Sequence, residues 1–381
     1  MAYDNIPKEL LEPLEHQESD QEKISRPSRT FMQDATRTFF KSVPAMISLI
    51  VLLLTLLMSI IGPWMNEYGY DDQDLNRAKL PPRISWLEDI SWLPFTGTLT
   101  ETFMGTDVDD ATTKALMRFD TDEEFVDIDV IAEGDGSRGS AEVKATFHPY
   151  EAKDLHDTYF WLGTDNLGRD QWTRLWKGTR VSMFIAFAAA AIDLLIGVVY
   201  GGISAYAGGR VDDIMQRGIE ILVGIPNLVV VLLMIMVLNP GITSIIIAMI
   251  ITGWTGMARI VRGEVLKLKN QEFVLAARTL GASTGRIIMK HLLPNISGII
   301  IINTMFTIPS AIFMEAFLSF IGLGLMPPEA SLGTLINTGF DNLRSYPFMF
   351  IYPAIVISVI MIAFNIMADG LRDAFDPKMH K

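Results

Sequence analysis

Six stretches of this chain are apolar over a length that can cross a lipid bilayer: Pro44–Ile61, Val181–Tyr200, Ile219–Leu238, Gly241–Trp254, Ile296–Ile321 and Phe348–Ala368. A helix rises about 1.5 Å per residue, so about 20 apolar residues cross roughly 30 Å of hydrocarbon. Water is absent at that depth, so each backbone N–H and C=O must be bonded internally, and a helix does this within one segment. The first stretch reads PAMISLIVLLLTLLMSII, carries no charge and ends at Gly62-Pro63-Trp64. The fourth is the shortest. Pro226, Pro309 and Pro353 lie within the third, fifth and sixth stretches. In a bundle, neighbouring helices can bond the carbonyls that a proline leaves free, so each of these is read as one span. The first span is read as retained, not as a signal peptide. It follows 43 mostly polar residues, its core is too long, and no small-residue cleavage site follows it.

Blocks of this kind exclude a purely soluble enzyme, a disordered chain and a fibrous repeat. The chain has no cysteine, which excludes disulfides, zinc-thiolate sites, iron–sulfur clusters and thiol catalysis. Its net charge of −13 argues against a nucleic-acid partner.

Lys and Arg near the spans set the orientation. With the amino terminus inside, the inner segments carry six (1–43), two (206–218), seven (259–293) and three (369–381). Of the outer loops, 239–242 carries none and 322–347 carries only Arg344. Both termini are therefore expected to be cytoplasmic. Segment 62–180 holds 24 acidic and 12 basic residues, a net charge of −12, and is long enough to be exported regardless of charge. It is read as an acidic extracytoplasmic domain, leaving a membrane core at 181–368 between tails 1–43 and 369–381.

Within that domain, Val126, Ile128 and Val130 alternate with Asp127 and Asp129. After the turn-rich Glu133–Gly139, Ala141, Val143, Ala145 and Phe147 alternate with Glu142, Lys144 and Thr146. Two alternating runs around a Gly/Asp turn predict a β-hairpin over Phe125–Phe147. Phe103-Met104-Gly105-Thr106-Asp107 and Trp161-Leu162-Gly163-Thr164-Asp165 form a weak duplication. The acidic run Asp120–Asp129 lacks the glycine of a calcium loop, with Phe125 in its place, and is read as a solvated face.

A search for chemistry yields little. No Gly-Lys dipeptide occurs, so no P-loop exists. The five histidines form no HExxH or paired cluster, so no metal or cofactor is expected. Two carboxylates, Asp193 and Glu315, fall well inside the spans. A carboxylate at that depth costs about 2.5–3.5 kcal/mol on insertion scales and should face the bundle interior. Asp193 either lines a pathway or makes a structural bond. Glu315 is read as lying near the outer end of its span, satisfied by water or a loop amide.

The most informative segment is the basic loop 259–295, RIVRGEVLKLKNQEFVLAARTLGASTGRIIMKHLLPN. Phe273, Val274, Ala277 and Leu280 recur at helical spacing. Ala276 and Ala277 are small enough to admit a close neighbour. Gly281 can take positive φ and stop the helix. A second helix should run from Gly285 to Leu293 and into the fifth span. The pattern fits a docking helix for a cytoplasmic partner and also an interfacial helix with Arg278, Arg286 and Lys290 at the headgroups.

The series Ala276-Ala277-x3-Gly281-x11-Leu293-Pro294 resembles the EAA loop of ABC importer permeases, although Leu275 stands where Glu is often found. Three further stretches are similar to the second, "C" type, permease subunit of dipeptide and oligopeptide ABC importers. They are Leu162–Asp170, Met314–Gly324 with Pro327-Pro328, and Ala368–Pro377. The resemblance implies an all-α fold of six transmembrane helices with a partly β insertion, in a multi-pass protein of a bacterial cell membrane. It implies that the chain forms half the translocation pathway and catalyses nothing covalent. The implied partners are a homologous second permease, two cytoplasmic ATPases and an extracytoplasmic peptide-binding protein. Phe273, Ala276, Ala277, Arg278, Leu280 and Gly281 would couple to an ATPase. Nickel and glutathione importers share these motifs and remain open as substrate alternatives. A secondary transporter is more distant, since it would need an internal ion site and inverted repeats.

Overall fold

The structure, a computed structural model, describes residues 31–90, 92–137 and 139–375. The tail up to residue 30, Arg138 of the turn, and 376–381 with the Asp376-Pro377 end of the third motif lie outside the described residues.

A short helix α1 (Phe31–Lys41) leads into α2 (Val43–Ile61), which is extended to Trp64 by a 3-10 turn. The hydroxyls of Ser48, Thr55 and Ser59 donate to the carbonyls of Ala45, Val51 and Leu56, so this helix carries its polar groups already satisfied. The insertion holds β1 (Leu99–Gly105), α3 (Val108–Phe119), β2 (Val126–Glu133), β3 (Ala141–Phe147) and the single turn α4 (Pro149–Ala152).

The second span is longer than its apolar core. Helix α5 (Gln171–Ile192) passes through a π-turn at Asp193–Gly197 into α6 (Val198–Ala207), one helix of 37 residues. Asp170 caps its start, accepting the Thr173 N–H at 2.7 Å. The third expected span is two helices, α7 (Gly209–Gly224) and α8 (Asn227–Leu238), bent by 78°. The continuous reading fails at Ile225, which is extended (φ −89°, ψ 122°). A residue before proline is pushed out of the helical region, and Pro226 has no N–H to restore the ladder. Pro309 and Pro353, by contrast, sit inside unbroken helices. The short fourth stretch gains length from α9 (Ile242–Thr252) running into α10 (Thr255–Leu268), 27 residues in all.

The basic loop then folds as α11 (Glu272–Thr279) and α12 (Thr284–Ile287). As expected, the second helix continues through a π-turn at Ile288–Leu292 into α13 (Leu293–Phe320). Helix α14 (Leu332–Asp341) and the final span α15 (Phe348–Phe375) complete the chain. Among the described residues, five helices are long and apolar enough to cross a membrane, and six if the bent pair counts as one span.

One core joins α2, α5, α13, α14 and α15 through Leu52, Ala186, Ile312, Leu335 and Phe364. A second joins α6, α10, α11 and the start of α13 through Val198, Val261, Val274, Ala277 and Ile296. The α6–α10 seam is very close. A Cβ on Gly201 would stand 2.3 Å from the Ala258 carbonyl oxygen, and one on Gly197 would meet Met257 at 2.7 Å. Gly197, Gly201 and Ala205 recur every fourth residue, the small-residue stripe that lets membrane helices approach to backbone contact.

The predicted hairpin is present, with Val126 opposite Phe147 and a bulge between Val130 and Ala132. It is not a free-standing hairpin. Strand β1 pairs with the other edge of β3, giving the order β1-β3-β2, so β3 is central. Helix α3 covers one face, with Ala115, Val126, Ala145 and Phe147 forming a small separate core. The two halves of the duplication take different local structures. Asp107 caps α3, whereas Asp165 accepts the Leu167 and Arg169 N–H groups and pairs with the Arg169 guanidinium at 2.7 Å.

Candidate functional site

Asp193 opens the π-turn between α5 and α6 and is 8% exposed. A π-turn inserts an extra residue into the helical ladder, and such turns recur at functional positions. Here it lies at the wall of a cavity of about 360 Å³. The Thr307 hydroxyl on α13 donates to Asp193 Oδ2 at 2.8 Å. Gly253 leaves room for the other oxygen, since a Cβ there would stand 3.3 Å from Oδ1 and 2.8 Å from the Met249 carbonyl oxygen. Asn227, Asn303 and Ser310 add polar groups to the same wall, and Met249, Met257 and Met314 add flexible apolar ones. Thr252 donates to Asn227 Oδ1 at 2.8 Å, which links the start of α8 to α9 beside the bend. Only ionisable residues had stood out in the spans, so these amides and hydroxyls were missed. An Asn at the first helical position after a proline was the available signal.

Glu315 is not in this cavity, and it is not at a watery helix end. It is fully buried. Ser182 and Ser319 donate to its two oxygens at 2.8 Å each. Ser182 in turn accepts the Leu332 N–H at 3.1 Å, and Ser331 caps α14 in a reciprocal box with Thr334. The carboxylate thus sits under the N-terminus of α14, where the exposed N–H ends of a helix favour negative charge. Gly333 permits this packing, because a Cβ there would lie 2.5 Å from the Ala316 Cα. The cluster ties α5, α13 and α14 together.

The loop residues divide between two faces of α11. Val274 and Ala277 are buried in the second core. Phe273 and Leu280 are exposed, Leu280 at 87%, and Ala276 shares their face at positions i, i+3 and i+7. Ala277 is therefore a packing residue of this chain, and Phe273, Ala276 and Leu280 form the free apolar stripe. Arg278 lies over the Tyr206 ring at 5.9 Å. Gly281 has φ +78°. Its N–H bonds to the Arg278 carbonyl at 3.0 Å, and the Ala282 N–H bonds to the Ala277 carbonyl at 3.1 Å. That pair of bonds is a Schellman stop, which needs the left-handed conformation at Gly281.

A further cluster braces α11. Arg262 donates to both oxygens of Asp212, Ser204 donates to Asp212 at 2.5 Å, and Lys269 donates to the Ala205 carbonyl at 2.8 Å. Beyond the other end of the α5–α6 helix, burial pushes the Asp170 carboxyl above its usual range, against the lowering effect of hydrogen bonds from Thr173 and Asn66.

The match to known proteins extends along the whole chain. Residues 194–381 match the binding-protein-dependent transport system inner membrane component, and residues 30–82 match the N-terminal transmembrane domain of oligopeptide transport permease C. The oligopeptide transport system permease protein OppC of Bacillus subtilis (strain 168) is 40% identical over 99% of both chains. The dipeptide transport system permease protein DppC of Lactococcus lactis subsp. cremoris (strain MG1363) is 43% identical over 94% of this chain and 93% of that one. Among solved structures, the MetNI methionine ABC transporter in an inward-facing conformation shares 18% identity, with a TM-score of 0.44, over 52% of this chain and 95% of that one. Continuous likeness of this extent places the chain in the family of inner-membrane components of binding-protein-dependent transport systems, among its oligopeptide and dipeptide permeases of the C type.

Proposed function

We propose that this chain is one of two membrane subunits that form the translocation pathway of an ATP-driven peptide importer in a bacterial cell membrane. The observation that carries this reading is the split face of α11. Its inner residues are locked into α6, α10 and α13, while Phe273, Ala276 and Leu280 present an apolar stripe that none of the described residues covers. A stripe of this kind is the helix half of a helix-in-groove contact. Its partner is a cytoplasmic ATPase, one of two, and the second half of the pathway comes from a homologous permease. In this reading both termini are cytoplasmic, and segment 62–180 faces outward, toward a peptide-binding protein. The Asp193 cavity belongs to the pathway, and Glu315 is an interior brace.

Purification of the assembled complex tests this directly. Two nucleotide-binding chains and a second permease should accompany the protein. Proteoliposomes supplied with the binding protein and ATP should take up di- or oligopeptides. Uptake of nickel or glutathione but not peptides would change the substrate and leave the architecture. Uptake driven by an ion gradient without ATP would overturn the reading.

A further inference from the structure

We infer that the Asp193 cavity is a binding site for the primary ammonium group of the transported molecule, with Asp193 as its fixed counter-charge. The inference rests on the peptide-importer reading and adds a recognition element to it.

The wall of the cavity is chemically one-sided. Among the described residues Asp193 is its only ionisable lining residue, with no Lys, Arg or His in the lining. Thr307 occupies Oδ2 from one side and holds the carboxylate in place. Oδ1 is kept clear by the absence of a side chain at Gly253. A charge held among apolar helices without an internal partner attracts a cation strongly, because screening there is weak. Asn303 reinforces the preference. One of its two amide N–H groups bonds to the Ile299 carbonyl at 2.7 Å, and its oxygen is an acceptor. An ammonium ion carries three donors and no acceptor, and it fits acceptors placed in this way.

The rest of the wall is adaptable. Met249, Met257 and Met314 line it with unbranched, polarisable side chains that reshape around different contents. One rigid anion with three methionines suits a substrate class that has one constant charged group and variable side chains. Free peptides have that composition. The cavity, at about 360 Å³, takes one end of a short peptide and not a folded chain. A carboxylate finds no cation on this wall and meets Asp193 as a like charge, so the amino end is the end that is held.

The test uses the intact complex in nanodiscs without the binding protein. Three fluorescently labelled peptides are titrated: Ala-Ala-Ala, N-acetyl-Ala-Ala-Ala and N-acetyl-Ala-Lys-Ala, all labelled at the carboxyl end. A charge-assisted hydrogen bond implies that the free amine binds about 10-fold more tightly than its acetylated form. Asp193→Asn should erase that ratio and leave the acetylated peptide unchanged. Thr307→Val should reduce the ratio in part. If the lysine peptide recovers the affinity, any primary ammonium is accepted; if it does not, the site reads the backbone terminus. Equal binding of free and acetylated peptides to the wild-type complex overturns the inference, even if Asp193→Asn fails to assemble. A complex that transports peptides but shows no such preference discards the inference and leaves the importer reading intact. A complex that transports no peptide removes the importer reading and the inference with it.

Discussion

Arg262 donates through Nε and Nη2 to the two carboxylate oxygens of Asp212, each at 2.7 Å, and so clamps α10 to α7 beside the segment that carries α11. The fork geometry needs a guanidinium, and a lysine cannot reproduce it. Arg262→Lys should lower stability by about 1–2 kcal/mol, between the values for exposed and buried pairs. Asp212→Asn should cost a similar amount. The double substitution should cost less than the sum, since the two residues act on one contact. Thermal unfolding of the detergent-solubilised complex reads all three, and additive losses would show that the pair is not coupled.

At Gly281 the space around a new Cβ is open, so only the backbone resists substitution. Gly281→Val forces a β-branched residue into the left-handed region, at a cost of about 1–2 kcal/mol per residue. Gly281→Asn should be milder, because Asn visits that region more readily. We expect Gly281→Val to assemble but to lose most peptide-stimulated ATP hydrolysis, and Gly281→Asn to keep most of it. Normal coupling in the valine variant would refute a role for the helix stop.

For Glu315, the partners are hydroxyls, which can reverse their hydrogen bonds. Glu315→Gln should therefore cost at most about 1 kcal/mol. Glu315→Ala empties a fully buried site and orphans Ser182 and Ser319, with an expected loss of about 2–4 kcal/mol. Melting temperatures of the two variants should separate clearly, and indistinguishable values would show that the cluster is not a brace.

Asp170 offers a case in which removing a charge should help. Its folded carboxyl titrates above the usual range because of burial, so the folded state binds the proton more readily than the unfolded state. Stability from this group is greatest at low pH and declines as pH rises through its raised value. Asp170→Asn keeps an oxygen to accept the Thr173 and Asn66 N–H groups and should remove that decline. Unfolding of the variant should depend less on pH above the ordinary carboxylate range, without loss of the helix cap.

Because Leu99 pairs directly with Phe147, the module 99–147 can be excised whole and its ends joined by a short linker. It carries 13 acidic and 4 basic residues, a net charge of −9. The complex should still assemble without it. Its association rate with the binding protein should fall at low salt and lose its salt dependence, because exposed charges are screened over about 8 Å at physiological ionic strength. Removing only the hairpin 125–147 should be worse tolerated, since it strips β1 of its neighbour, and limited proteolysis should show this. A salt response identical to that of the full chain would leave the module as a passive cap.

The spans were legible because lipid imposes run length directly on the sequence. The bend at Pro226 was not, because Pro309 and Pro353 also stand within apolar runs and yet lie inside unbroken helices. Strand β1 was missed because Glu101 stands on its inward face, where it pairs with Arg118 across the module and breaks the apolar alternation. The helix stop at Gly281 is local and was read correctly. The division of α11 into a buried and a free face was not, since Phe273 and Val274 are adjacent and equally apolar. Glu315 depends on Ser182, 133 residues away, and no local pattern carries that pairing.

The glycine seam between α6 and α10 has a mechanical consequence. At Gly201 backbone meets backbone, and at Gly197 the only side chain in the contact is that of Met257, so the seam has little room to compress when load is applied. In the proposed importer, a push on α11 would therefore pass through these helices with little loss. It would travel as a tilt of the pair, one end at the exposed stripe and the other at the carboxylate of Asp193. The seam would then act as a bearing, and the stroke of an ATPase gripping α11 would set the opening of the Asp193 cavity.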